Sequence, residues 1–299
     1  MGKINRGSVK KVQKDLFSKI KERLPEFSKG HKKIAEYMLN HYDKAAYMTA
    51  AKLGSIVGVS ESTVVRFATE LEYEGYPELQ KALQEIMRNK LTSVQRIEVT
   101  SDQIGNNDIF EKVLNLDIDK IRRTLEESSR EDFYGAVDTI INAKRIYIIG
   151  SRSSSALAHF MSYYFNLMFE DVRYIHMATT SEMFEQIMRI TENDVIIGIS
   201  FPRYSKQTVK AMQYASSKGA KVVAITDGML SPLAEHATHL LLARSDMASF
   251  VDSLVAPLSL INALIVAIGI KKRDEISRNF ANLEEIWEEY EVYEKNKEK

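Results

Sequence analysis

Cysteine is missing altogether from the 299 residues. Its absence excludes disulfides, thiolate nucleophiles and cysteine-based metal sites, and it fits a reducing compartment. The opening residues, "MGKINRGSVKKVQKDLF", alternate lysines with single apolar residues and lack the apolar core of a secretory leader, so a cytoplasmic protein is expected. No P-loop, GxGxxG or GxSxG motif occurs, and the six histidines show no metal-site spacing: His236 and His239 are three apart with only Glu235 nearby. No cofactor or metal is therefore expected. Long apolar runs are scarce too. Ser253–Ile270, "SLVAPLSLINALIVAIGI", goes 18 positions without a charge, but it contains Pro257 and Asn262 and has no companion span. It reads as a buried or subunit-interface helix, not a membrane crossing.

Net charge is zero, yet it is unevenly spread. Residues 1–98 hold 18 Lys+Arg against 12 Asp+Glu, and the first 33 hold 11 against 3, whereas the remainder is acidic by the same margin. One half is suited to polyanions and the other is not. At 44% hydrophobic and 27% charged, the composition is that of a soluble globular chain long enough for two domains.

Residues 1–91 read as all helix, with Ser28, Thr49 and Ser60 as N-caps and Pro77 in a first turn. Residues 92–107, "TSVQRIEVTSDQIGNN", lose periodicity and read as a linker. From 108 to 291 the pattern becomes α/β, leaving 292–299 as a tail. Two helices precede five short apolar runs, "RIYIIG", "VRYIH", "DVIIGIS", "KVVAIT" and "THLLLA", that alternate with helical stretches. That spacing predicts a three-layer α/β sandwich on a five-stranded parallel sheet, closed by helices at about 252–271 and 274–291.

In "AAKLGSIVGVSESTVVRFATEL", residues 50–71, a helix, a tight turn at Gly58-Val59 and a capped second helix follow one another. Val59, Val64, Phe67 and Leu71 share a face and are expected to pack on Leu53, Ile56 and Val57. Glu61, Ser62, Val65, Arg66 and Thr69 are left outward, the arrangement of a helix that reads the major groove. Ser60, Glu61, Ser62, Thr63, Arg66 and Lys52 are the candidate DNA-binding residues, with Lys29, Lys32 and Lys33 as further phosphate contacts. On "KIAEYML", "VSESTVVRF" and "GYPEL", residues 24–92 resemble the N-terminal domain of the RpiR family of bacterial transcription regulators. That resemblance implies a winged-helix-like domain acting as a homodimer or homotetramer on a pseudo-palindromic operator.

In open parallel sheets, ligands sit beyond the carboxyl ends of the strands. Two loops there carry hydroxyls and an arginine: "GSRSSS", with Arg152, Ser153 and Ser154, and "SFPRYSKQT", with Ser200, Arg203, Ser205 and Thr208. Helix starts, hydroxyls and guanidinium groups suit a phosphate or carboxylate. Residues 108–270 resemble the sugar isomerase (SIS) domain, which also forms the C-terminal half of RpiR-type regulators, and the resemblance implies a phosphosugar ligand. Ser154 falls on that family's first-loop serine, and Ser200 and Ser205 on its second loop. Arg152 and Arg203, however, stand where the family has glycine, Pro202 where it has a serine, and His239 where an acid is common. These exchanges remove a hydroxyl and add positive charge, so the family's usual phosphate geometry is not expected to carry over unchanged, and a ligand with a second acidic group is favoured.

A proton-moving isomerase needs a positioned base. Glu182 and His176 are the candidates, and neither lies in a recognisable motif; Glu182 also reads as an ordinary early-helix acid. The sequence thus points to a non-enzymatic, DNA-binding regulator with a phosphorylated sugar or sugar-acid effector. The competing reading is a phosphosugar isomerase with an accessory helical domain.

Overall fold

The computed structural model describes residues 16–88, 97, 108–176, 179–246 and 251–293. The expected linker, apart from Ile97, therefore lies outside the described residues, as do the first 15 residues and most of the tail. The chain forms two compact units that meet in sequence at Lys112 and Val113.

The first unit is helical: α1 Leu16–Arg23, α2 Lys29–Asn40, α3 Tyr42–Ala45, α4 Ala50–Val57, α5 Glu61–Glu70 and α6 Tyr76–Arg88. The three predicted caps are made. Ser28, Thr49 and Ser60 each accept a hydrogen bond from the backbone N–H three residues on, satisfying donors that a helix start leaves unpaired. Ile34, Met38, Leu53, Val64, Phe67, Leu71, Leu79 and Leu83 form its core. Tyr76 ties α6 to the loop after α3, its phenol donating to Met48 O at 2.8 Å. Burial pushes that phenol up to about 12.

From Val113 the second unit runs through the rest of α7 (Ile109–Glu127), then α8 Arg130–Ile141, β1 Ile146–Gly150, α9 Ser153–Met168, β2 Val172–Tyr174, α10 Thr180–Ile187, β3 Val195–Ile199, α11 Lys206–Ser217, β4 Lys221–Thr226, β5 His239–Leu242, α12 Val255–Lys271 and α13 Arg273–Glu289. The five strands form one parallel sheet in the order β2-β1-β3-β4-β5. Alternate strand residues face opposite layers. Ile146, Ile148, Val195 and Ile197 pack under α8, α9 and α12, while Tyr147, Ile149, Ile196 and Val222 pack under α10 and α11. The sheet is buried on both faces, which explains its unbroken apolar strands.

Strand β5 is an edge, and its outer backbone groups need partners. Thr124 Oγ1 accepts from Arg244 N at 2.9 Å, Ser128 Oγ donates to Leu242 O at 3.3 Å, and Asp132 Oδ1 accepts from Leu240 N at 3.4 Å. The end of α7 and the start of α8 thus cover the edge with side-chain oxygens.

No single helix among the described residues is long and apolar enough to cross a membrane. Residues 253–270 are mostly α12, which buries Ala256, Pro257, Leu260, Ile261, Leu264 and Ile268 in the α/β core.

Candidate functional site

The helical unit presents α4, a turn and α5. Gly58 takes φ 71°, a left-handed backbone in which glycine is unstrained. Beyond it the Ser60 hydroxyl caps α5 and bonds the hydroxyls of Ser62 (2.9 Å) and Thr63 (2.8 Å). Val64, Phe67 and Leu71 are buried as expected. Glu61, Ser62, Val65, Arg66 and Thr69 are exposed, and Thr63 is half-buried. Arg66 lies back along its own helix, Nε donating to Ser62 O at 3.3 Å. Lys52 is exposed on α4, and Lys33 Nζ lies 3.9 Å from where a β-carbon on Gly58 would stand. One expectation fails: Ile56 is 44% exposed. It follows Leu53 by three positions, but α5 closes over Leu53 and Gly54, leaving Ile56 on the rim.

Behind α5, His31 Nδ1 bonds the Glu70 carboxylate, and its ring sits edge-on to Phe27 and Phe67. No sequence motif announces this contact, which joins α2 to the end of α5 across 39 positions.

In the α/β unit, strand order reverses between β1 and β3, since β2 lies on one side of β1 and β3 on the other. A parallel sheet opens a crevice there, beyond the strand ends. Gly150 pairs with Ile199, so Ser151 and Ser200 leave the sheet at one level and both hydroxyl-rich loops start from the same rim. Gly150 is required at this point, because a β-carbon on it would stand 2.5 Å from Ser154 O.

Within the loops the residues divide sharply. Ser154 and Ser200 are buried, each 4% exposed. Ser200 Oγ accepts from Ser205 N at 3.1 Å, and Ser205 Oγ caps α11 by accepting from Thr208 N at 3.4 Å. Thr208 is wholly buried, and its hydroxyl has no hydrogen-bond partner among the described residues. Ser153 opens α9 and is exposed. The residue in the cap position of α9 is not a serine. It is Arg152, at φ 56° and ψ −127°. Arg203 likewise has φ 65°. Both arginines thus occupy backbone conformations that favour glycine, and each is exposed. Holding a non-glycine L-residue in such a region costs on the order of 1–3 kcal/mol.

Sequence reasoning missed Asp227. It is buried just past β4, where its Oδ1 accepts from Tyr204 OH at 2.7 Å and from Thr226 Oγ1 at 3.3 Å. The contact pins the second loop to the neighbouring strand. The "TD" after "VVAI" was its only local signal.

The two candidate bases have other employment. Glu182 forms a capping box with Thr179: its carboxylate accepts from Thr179 N at 3.1 Å, and its own N–H donates to Thr179 Oγ1 at 3.2 Å. His176 is held through its backbone by Gln186, and its ring abuts Tyr174. His239 packs on Gly135 and bonds Thr139 Oγ1 at 2.9 Å. Burial pulls its imidazole below the usual histidine range against the opposing pull of Asp132. No cluster of possible metal ligands occurs among the described residues. A separate open cavity of about 370 Å³ lies against β2, lined by Arg173, Glu185, Gln186 and Arg189 among others. Two of its polar walls are already engaged, Arg173 by Asp171 and Gln186 by the His176 backbone. The switch-point crevice is the chemically stronger candidate.

Residues 14–90 match the profile of the helix-turn-helix domain of the rpiR family, and residues 139–267 match that of the SIS domain. The chain belongs to the RpiR family. Among curated relatives, the HTH-type transcriptional regulator HexR of Escherichia coli K12 is 29% identical over 276 residues, covering 88% of this chain and 92% of the relative. Among solved structures, the NanR protein of Vibrio vulnificus, complexed with ManNAc-6P, has a TM-score of 0.57 at 21% identity, over 91% of this RpiR chain and 97% of the other. The sugar isomerase domain of an RpiR transcription factor from Sphaerobacter thermophilus has a TM-score of 0.56 at 24% identity, over 58% and 97% respectively. Both solved structures share the fold.

Proposed function

We propose that this RpiR-family chain is a cytoplasmic, non-enzymatic transcription regulator that binds operator DNA through α5 and senses a phosphorylated sugar or sugar acid at the β1–β3 switch point. The observation carrying the ligand reading is the register of Gly150 on Ile199, which starts both serine-bearing loops at one level. Ser154 and Ser200 supply hydroxyls for the phosphate, Ser153 supplies one at the mouth, and the wholly buried Thr208 lies behind them in the first turn of α11. Ser205 holds the second loop through its cap. Arg152 and Arg203 add charge that a carboxylate or phosphate satisfies bidentately. Support for an effector of this class comes from NanR, whose structure contains ManNAc-6P. The isomerase reading is weaker, because Glu182 is committed to its capping box.

On the DNA side, Glu61, Ser62, Val65, Arg66 and Thr69 face the bases, Ser60 and Thr63 fix the start of the helix, and Lys52 and Lys33 meet phosphates. Regulation requires that ligand bind one DNA-affinity state better than the other, and the coupling is then reciprocal. The test is fluorescence anisotropy on labelled promoter DNA. Affinity should fall steeply with salt, change on adding the cognate phosphosugar, and lose that response in Ser154→Ala and Ser200→Ala while basal DNA binding stays intact. Turnover of a ketose or aldose phosphate, abolished by Glu182→Gln, would establish the isomerase instead.

A further inference from the structure

Helix α5 turns one valine in and the next one out. Val64 is wholly buried, whereas Val65 is 39% exposed and takes no part in the core of the helical unit. The helix itself gains nothing from it. Valine is a poorer helix former than alanine, because its branched side chain loses rotamer freedom against the preceding turn. The other exposed residues of α5, Glu61, Ser62, Arg66 and Thr69, are all polar. Val65 is thus a single apolar side chain at the centre of the outward face.

Glu61, Val65 and Thr69 follow one another by four positions, so they form one row, rising about 6 Å per step. A carboxylate is repelled by phosphates, so a row headed by Glu61 lies over base edges and not on the DNA backbone. The Thr69 hydroxyl is turned back on its own helix, where it donates to Val65 O at 3.3 Å. The cation of this face belongs to the neighbouring row: Arg66 Nη2 donates to Ser62 Oγ at 3.4 Å. Val65 therefore meets the floor of the groove without a charge beside it in its row except that of Glu61. Among the groups that base pairs present in the major groove, the apolar one is the 5-methyl of thymine.

We propose, resting on the reading of α5 as the helix that enters the major groove, that Val65 is a specificity-determining residue that packs on a thymine 5-methyl group. The operator then carries a thymine where Val65 lands. Valine and methyl leave water together, a gain that cytosine, with the same ring and no methyl, does not offer.

The test uses the full-length protein and a random-sequence DNA duplex pool, from which the wild type selects its tightest-binding sequence. That duplex is remade with deoxyuridine at each thymine in turn, which deletes the methyl group and keeps the base pair. By fluorescence anisotropy, the wild type should bind about three- to fivefold more weakly when one thymine, or one symmetry-related pair, is replaced, the worth of a buried methyl group. Val65→Ala should bind the thymine duplex more weakly and no longer distinguish deoxyuridine from thymine at that position. Val65 is exposed, so this variant should keep the wild-type circular dichroism spectrum; should it not, Val65→Ser takes its place. A wild type indifferent to every replacement, or a variant that keeps the full discrimination, overturns the proposal and leaves α5 a DNA-binding helix. Selection that enriches no sequence would overturn the reading of α5 itself, and the proposal with it.

Discussion

Asp194, at the N-terminal end of the sheet, has both carboxylate oxygens in use. It takes two parallel bonds of 2.9 Å from Arg145 and further bonds from Thr191 N and Oγ1 at 2.7 and 2.9 Å. Thr208, at the opposite end, is as deeply buried, yet its hydroxyl has no partner among the described residues. The contrast extends to the backbone. The two arginines with positive φ, Arg152 and Arg203, both lie at the C-terminal end. Buried hydroxyls without a partner among the described residues occur at both ends, Tyr147 beside Arg145 and Asp194 as well as Thr208, whereas the two strained arginines share the C-terminal end. Strained residues persist where the surroundings over-determine them, and they gather at ligand clamps. On the proposed reading, the strained C-terminal end is the one that recognises ligand, opposite the Arg145–Asp194 anchor.

The comparison is broken most severely at Asp194. Asp194→Ala should destabilise the α/β unit by about 3–5 kcal/mol, because it leaves the Arg145 charge without its buried partner. Denaturant unfolding measures this, and the fraction that remains folded should bind ligand normally. Next in size is Arg66→Ala, an exposed change on the other unit. It should weaken promoter binding by about 10- to 100-fold and shift the unfolding free energy by less than about 0.5 kcal/mol.

Arg152→Gly sharpens the contrast, because its two effects have opposite signs. Releasing the left-handed strain should raise stability by about 1 kcal/mol, while loss of the guanidinium should weaken effector binding by about tenfold. A thermal melt and a titration on one preparation give both. The smallest effect is a pH dependence at His239. Its folded imidazole binds a proton less readily than the unfolded one, since burial opposes the charge. Its stabilising share is therefore complete above about pH 6.5 and declines as pH falls below that value. His239→Gln should flatten this part of the melting-temperature profile.

Much of the fold was legible in sequence because local signals and tertiary packing agree there. The caps at Ser28, Thr49 and Ser60, and the apolar runs that became β1 to β5, needed nothing from distant residues. The rest depended on partners far along the chain. Thr124, Ser128 and Asp132 look like ordinary surface residues of two helices until β5, more than 100 positions later, presents its edge. Ile56 shows the same limit, since periodicity placed it inward and the crossing of α5 left it on the rim. At the candidate site, residue types and loop positions were readable. The left-handed backbone of Arg152 and Arg203 had no glycine to announce it, and only the likeness to the SIS pattern marked those positions as exchanged. The link from Tyr204 to Asp227 joins two loops and carries no periodic signal.

The most direct test is a thermal-shift titration with phosphorylated sugars and sugar acids, each beside its dephosphorylated counterpart, on the wild type and on Ser154→Ala. A ligand that binds only the native state raises the melting temperature as its concentration passes the dissociation constant. The predicted result is a shift for at least one phosphorylated compound, none for its dephosphorylated form, and none in Ser154→Ala. An equal shift with and without the phosphate, or a full shift in Ser154→Ala, would contradict an anion site at the β1–β3 rim.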